Sequence, residues 1–242
     1  MYKRILFFGL FLIIISSPAL FCLTAQQIIE KAENRESFQS TYSEGRIVST
    51  DRFGSKESSF KSWSEGSESA LLEFSDGQRV LKTKNDIYLY YPDAEVVIRL
   101  QGSALRQSVL GSDLSYEDAS GFGDTLSNYD VELISDRLLN NRDSYLLSLE
   151  AKSKNVAYPK QLIWVDKDNF IIMRRELYTK SNRLLKEIEV LEIGSFENEL
   201  VPKVTSVVDK LKKESSTKMY LDLLHLNVNH DKSLFSLQNL TW

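Results

Sequence analysis

The chain has 242 residues, with 30 Lys and Arg against 34 Asp and Glu, a net charge of −4 and a single cysteine. An acidic balance with no long basic stripe is the wrong sign for a nucleic-acid binder. One cysteine allows neither a disulfide framework nor a zinc–thiolate cluster, and the length suits one domain around one core.

The amino terminus reads as an export signal. Lys3 and Arg4 precede an unbroken apolar run at residues 5–15, too short for a bilayer span, and Ser16, Ser17 and Pro18 end it. Two processing routes compete. Cleavage after Ala25, in Leu-Thr-Ala, releases a soluble protein; lipidation of Cys22, after Ala-Leu-Phe, retains a membrane anchor. Phe21 stands where lipidation normally has a small residue, which favours a signal peptide of residues 1–25. Losing Lys3 and Arg4 leaves 28 basic against 34 acidic residues and no thiol in the domain 26–242.

Residues 26–36 have the spacing of a short helix, with Ile28, Ile29 and Ala32 on one face. Thr24 and Gln27 have the form of a capping box that cleavage after Ala25 would remove. From residue 38 onward the period is two. Leu147 and Leu149 alternate with Ser148 and Glu150, and Ile188 and Val190 with Glu187 and Glu189, as in strands with one dry and one wet face. Asp76-Gly77, Pro92-Asp93 and the polar run 140–143 supply hairpin chemistry. Roughly a dozen short strands predict an antiparallel sandwich or a curled barrel. Within residues 219–228 the apolar phase shifts from Met219, Leu221 and Leu223 to Leu224, Leu226 and Val228, which predicts a bulge. Residues 231–240 close the chain as a short helix capped by Asp231, with Leu234, Phe235 and Leu237 inward. Lys210, Lys212 and Lys213 read as a solvated strand end.

One interval breaks the meander. Residues 101–127 are far longer than the roughly 2 to 5 residues of a hairpin loop. Ser103 to Leu110 suits a helical turn or two stopped by Gly111, and Ser112 or Asp113 suits the cap of a second turn ending near Asp118. An ordered insertion of this size is a lid or a binding loop. Its apolar residues, Leu105, Val109, Leu110, Leu114 and Tyr116, are enough to cover a hollow but too few to form a core.

Catalytic patterns are not evident. His225 and His230 lie in strand-like sequence and lack metal-ligand spacing, so no metal or other cofactor is expected. Gly121-Phe-Gly123 has no third glycine and reads as a hinge. An exported hydrolase would need Asp113, Glu117 and Asp118 as an acid–base group, although capping accounts for the same residues.

Tyr88-Leu-Tyr-Tyr-Pro92, Ile98-Arg99-Leu100, Gly111-Ser-Asp-Leu-Ser-Tyr-Glu-Asp118 and Leu162-Ile-Trp-Val-Asp166, in that order, resemble the signature of the outer-membrane lipoprotein-sorting proteins, the LolA-like periplasmic carriers. The resemblance covers nearly all of 26–242. It implies an open antiparallel half-barrel of about eleven strands, with short helices as lid or plug on the concave side. It also implies a monomeric, non-enzymatic periplasmic protein that binds the acyl chains of lipoproteins or a related lipid. Its partners would be an inner-membrane releasing complex and an outer-membrane acceptor. An anchored receptor of the same fold is the alternative. Trp63, Leu72, Phe74, Tyr88, Tyr90, Leu147, Leu149 and Trp164 are then the candidate cavity lining; which parity of each strand faces inward stays open. The family's arginine that holds the lid shut has no counterpart in Lys61-Ser-Trp-Ser-Glu-Gly-Ser-Glu68, leaving Arg99 or Arg106 as substitute anchors.

Overall fold

A computed structural model describes residues 23–119, 124–154 and 156–241. Cys22, the apolar run 5–15 and the Gly121-Phe-Gly123 hinge lie outside the described residues. Thirteen strands form one sheet: β1 (Ser40–Asp51), β2 (Gly54–Glu65), β3 (Ser69–Phe74), β4 (Arg79–Lys82), β5 (Ile87–Tyr91), β6 (Val96–Leu100), β7 (Tyr129–Leu139), β8 (Arg142–Ala151), β9 (Lys160–Asp166), β10 (Ile172–Tyr178), β11 (Leu184–Phe196), β12 (Glu199–Asp209) and β13 (Ser216–Leu226). Every pairing is antiparallel. The sheet does not close into a barrel; it is an open, curved half-barrel with two strands more than the resemblance implied.

The strand order, β6-β5-β4-β3-β2-β1-β13-β12-β11-β10-β9-β8-β7, explains the long interval. The chain starts at the middle of the sheet and pairs outward to β6. It then crosses to the opposite edge and pairs back from β7 until β13 closes against β1. Residues between β6 and β7 are this crossover. They form two 3-10 turns, Gly102–Arg106 and Val109–Gly111, and two single helical turns, α2 (Tyr116–Ala119) and α3 (Thr125–Asn128), preceded in the chain by the longer helix α1 (Ala25–Glu36).

Turn chemistry fixes the register. Asn140 and Asn141 both take positive φ, as do Glu197 and Asn198, and each pair makes a two-residue hairpin loop whose twist matches its strands. The predicted bulge is present. Glu44 faces Leu223 and Gly45 faces Leu221, so Asp222 is the extra residue on β13. Beside it, a Cβ on Gly45 would stand 2.2 Å from the Tyr220 carbonyl oxygen and 2.7 Å from the Phe60 ring. Only glycine lets β13 and that ring come so close.

On the β2–β5 side both faces of the sheet are covered, which corrects a one-dry-face reading there. On the concave face, α1 lays Ile28, Ile29 and Ala32 on Leu147, Leu149, Ile163 and Val165, while the crossover covers Ile47, Phe74, Leu89 and Val207. On the convex face the carboxyl-terminal segment packs Leu240, Leu234 and Phe235 against Leu71, Leu81 and Trp63. That segment is a 3-10 turn, Lys232–Phe235, capped by Asp231, followed by α4 (Leu237–Leu240), capped by Ser236. Leu240 is the buried residue of α4 and Leu237 points to solvent, contrary to the expectation from spacing, because Ser236 breaks the helix and resets its phase. Thr24 does make the capping box: its Oγ1 accepts the Gln27 N–H at 3.2 Å, and Gln27 Oε1 accepts the Thr24 N–H at 2.9 Å.

Candidate functional site

The concave face is not filled evenly. Between the ground taken by α1 and that taken by the crossover runs a trough of about 280 Å³, lined by Ile47, Phe60, Leu72, Val109, Leu114 and Met219, with Ser43, Ser62 and Thr205 as its small polar groups. A second hollow of about 410 Å³ shares Pro202 and Leu221 with it and leads past Leu224 and Phe38 to the end of α1. Among their inward positions, strands β1, β2 and β12 carry the small residues Ser43, Gly45, Ser62 and Thr205 beside Ile47, Phe60 and Val207. Side-chain volume is therefore missing along the middle of the sheet.

Strand alternation sorts the proposed lining residues. Leu72 borders the trough, and Phe74 packs beneath the crossover and borders a small adjoining void of about 30 Å³. Leu147 and Leu149 also face the concave side, but α1 covers them completely. Trp63, Tyr88 and Tyr90 join Leu71, Leu81 and Leu240 on the convex face, where the carboxyl-terminal segment covers them. Trp164 sits between Ile163 and Val165, both buried under α1, and so points to the convex side, where the Arg174 guanidinium lies 5.5 Å from its ring centre. These four aromatics are corrected from the lining. The crossover residues keep their expected side: Val109, Leu114 and Tyr116 are buried against the sheet, and Leu105 and Leu110 are half-buried there.

The segment Gly111-Ser-Asp-Leu-Ser-Tyr-Glu-Asp118 fixes the crossover at two polar anchors. Gly111, at φ +79°, turns the chain. The Asp113 N–H donates to Thr217 Oγ1 at 2.8 Å, and its carboxylate accepts from Ser215 and lies 3.4 Å from the Lys212 ammonium. Lys212 also donates to the Ser112 carbonyl at 2.5 Å and to Ser108 Oγ at 3.0 Å. It is thus no solvated strand end. Five residues on, Asp118 is enclosed by the Lys186 ammonium, the Tyr158 hydroxyl at 2.8 Å and the Ser115 N–H at 2.9 Å. Ser115, rather than Ser112 or Asp113, caps α2, because the Asp118 N–H returns to Ser115 Oγ at 3.2 Å. Between the anchors, Leu114 borders the trough and Tyr116 the small adjoining void.

Burial shapes the electrostatics. Tyr116 is pushed up to about 12, first by desolvation and then by Tyr91 and Asp76. Tyr158 is also raised, first by desolvation and then by the Asp118 charge, which keeps its hydroxyl a donor. Half-burial raises Glu117 above the usual carboxylate range, partly offset by Arg106 at 3.8 Å. Arg99 is engaged elsewhere, with Asp86, so neither arginine is the main anchor. Lys186 was legible in principle. It alternates in phase with Ile188 and Val190, and a lysine on a dry face calls for a buried carboxylate. Asp113 and Asp118 are committed to holding the crossover. His225 pairs with Glu197 at 3.0 Å, and His230 faces the Thr41 carbonyl at 2.9 Å.

A family model described as "Uncharacterized protein"-like matches residues 73–242. The chain belongs to that family. Solved structures give its fold. A putative outer membrane lipoprotein-sorting protein domain from Vibrio parahaemolyticus superposes with a TM-score of 0.81 at 19% identity, covering 90% of this chain and 98% of that one. A DUF1329 family protein from Desulfovibrio piger reaches 0.79 at 23% identity, covering 90% and 99%. A LolA superfamily protein from Nitrosomonas europaea reaches 0.73 at 23%, covering 90% and 100%. No curated protein gives a significant match. The half-barrel therefore has the fold of these three structures. Within that fold, the cations anchoring the crossover are Lys186 on β11 and Lys212 beyond β12.

Proposed function

We propose that this protein is a non-enzymatic periplasmic carrier, which takes up the acyl chain of a lipoprotein or related lipid beneath the crossover and sorts it to the outer membrane. The crossover is its lid. The observation that carries this reading is the trough: an apolar hollow at the centre of the sheet, bordered by Val109 and Leu114 of a segment pinned at two polar anchors.

The energetics suit reversible loading. At about 0.8 kcal/mol per buried methylene, a chain of roughly 16 carbons gains on the order of 10 kcal/mol. A site collecting all of it would release slowly. At roughly 30 Å³ per methylene-sized group, the share of a water molecule in the liquid, the 280 Å³ closed trough takes about nine. A longer chain has to lift the lid, and displacing Val109, Leu114 and Tyr116 returns part of the gain. Closed-empty and open-loaded states then lie near enough in free energy for a membrane complex to tip them.

Native mass spectrometry of the protein recovered from its own cell envelope tests this. The expected species is a 1:1 complex with an acylated molecule, displaced by a fluorescent fatty acid. Protein that is empty, and that takes up no fatty acid, would refute the carrier.

One observation favours the anchored receptor as a second reading. Leu23 packs against the α1 core and Thr24 makes the capping box, so processing before Cys22 keeps contacts that cleavage after Ala25 discards. The mass of the mature amino terminus separates the two.

A further inference from the structure

The surface changes character at the end of the half-barrel where β1 turns into β2 and β12 into β13. Two large apolar side chains project there: Phe53, 82% exposed, and Leu211, 55% exposed. Neither sits on a loose loop. The Phe53 N–H is held by Asp51 Oδ1 at 2.7 Å and the Leu211 N–H by Asp209 Oδ1 at 2.8 Å. Each carboxylate fixes its turn so that the next apolar group stands outward.

Charge surrounds them. The groove between the two tips is lined by Arg52, Lys56, Lys212 and Lys213 against the single carboxylate of Asp51, in a chain whose net charge is −4. The Arg52 guanidinium lies 4.6 Å from the Phe53 ring centre, so cation and aromatic are presented together. The inner side of the groove is the lid, through Leu110 and Gly111.

We propose that this end docks on an anionic lipid bilayer, with Phe53 and Leu211 entering the interface and Arg52, Lys56 and Lys213 meeting the headgroups. Aromatic and aliphatic side chains at the tips of fixed turns, beside a groove with four cations and one carboxylate, are complementary to that surface, which offers apolar depth beneath a negative plane. A neutral partner would leave the cations unused, and a purely polar one would leave Phe53 and Leu211 in water. The charge imbalance within an acidic protein also orients it, because the rest of the surface is repelled.

Lys212 joins this surface to the lid. Its side chain is one-third exposed and lines the groove, while the ammonium holds the Ser112 carbonyl and the Asp113 carboxylate. A lipid phosphate at the groove competes for that ammonium, so docking loosens one of the two lid anchors and leaves the Lys186 anchor in place. This coupling rests on the carrier reading; the docking itself does not.

The test is co-sedimentation of the processed protein, purified from its own host, with vesicles of phosphatidylcholine alone or with about a third phosphatidylglycerol. Binding is expected only to the anionic vesicles, weakening at high salt. Loss is expected with Phe53→Ser, and a fall of roughly fivefold per removed charge in Lys56→Gln and Lys213→Gln. Hydrogen exchange at residues 105–113 should quicken when anionic vesicles are added. Equal sedimentation with both vesicle types, or no effect of these three substitutions, would overturn the proposal. So would photo-crosslinking from position 53 in cells into protein rather than lipid, which would assign the face to a protein partner. Anionic-vesicle binding by a protein that takes up no fatty acid would leave the docking surface standing and remove the carrier reading alone.

Discussion

Lys186→Met isolates the deeper lid anchor. The Lys186 side chain is 7% exposed and that of Asp118 is fully buried, so the substitution leaves a carboxylate without its cation in a water-poor site. Breaking a buried pair in this way costs about 3 to 5 kcal/mol. Asp118 retains the Tyr158 hydroxyl and the Ser115 N–H, which places the cost at the lower end. In the proposed carrier the crossover lifts without unfolding the sheet, so the penalty falls on local opening. About 3 kcal/mol is roughly a hundredfold or more in that equilibrium. Hydrogen exchange by mass spectrometry should show it: residues 102–119 exchange about two orders of magnitude faster, while β8 and β9 keep their protection. Asp118→Asn combined with Lys186→Met removes the stranded charge, keeps an acceptor for Tyr158 and should recover most of the lost protection. Unchanged exchange at 102–119 in Lys186→Met, or an equal loss through β8 and β9, would refute a local latch.

Other consequences follow from particular positions. Ser62→Phe places a ring in the trough; losing space for about four methylenes weakens fatty-acid uptake by about 3 kcal/mol, or roughly a hundredfold, while the melting temperature changes little. Trp63→Ala, on the convex face, should leave uptake unaltered and loosen the carboxyl-terminal segment in limited proteolysis. Gly45→Ala pushes a methyl group against the Tyr220 carbonyl and the Phe60 ring, and should cost about 3 kcal/mol in a urea titration. Burial raises the Glu117 carboxyl in the closed state, so that state holds the proton more tightly than the open one. Protection of the lid should accordingly fall as pH rises from about 4.5 through the raised value, and Glu117→Gln should flatten that dependence.

The fold was legible where one physical rule acted alone. Period two placed Leu147 with Leu149 and Ile188 with Val190, the phase shift after Leu223 marked the bulge, and an interval too long for a hairpin marked the crossover. Parity failed at β3, where Leu71 and Leu72 are both apolar because the sheet is covered on both faces. Trp63, Tyr88, Tyr90 and Trp164 were drawn to the wrong side for that reason: hydrophobicity reports burial and not which cover provides it. The anchors were hidden differently. Lys186 and Asp118 are 68 residues apart, and only the strand order brings them together.

That strand order has a mechanical consequence. The crossover is tied at one end to β6 and at the other to β7, the two free edges of the sheet, so it works as a bowstring on a flexed bow. It can rise, but it cannot drift away. In the proposed carrier, spreading the edges to admit a bulky guest would draw it taut, and letting them spring together would give it slack, so gape and closure would be one coordinate rather than two.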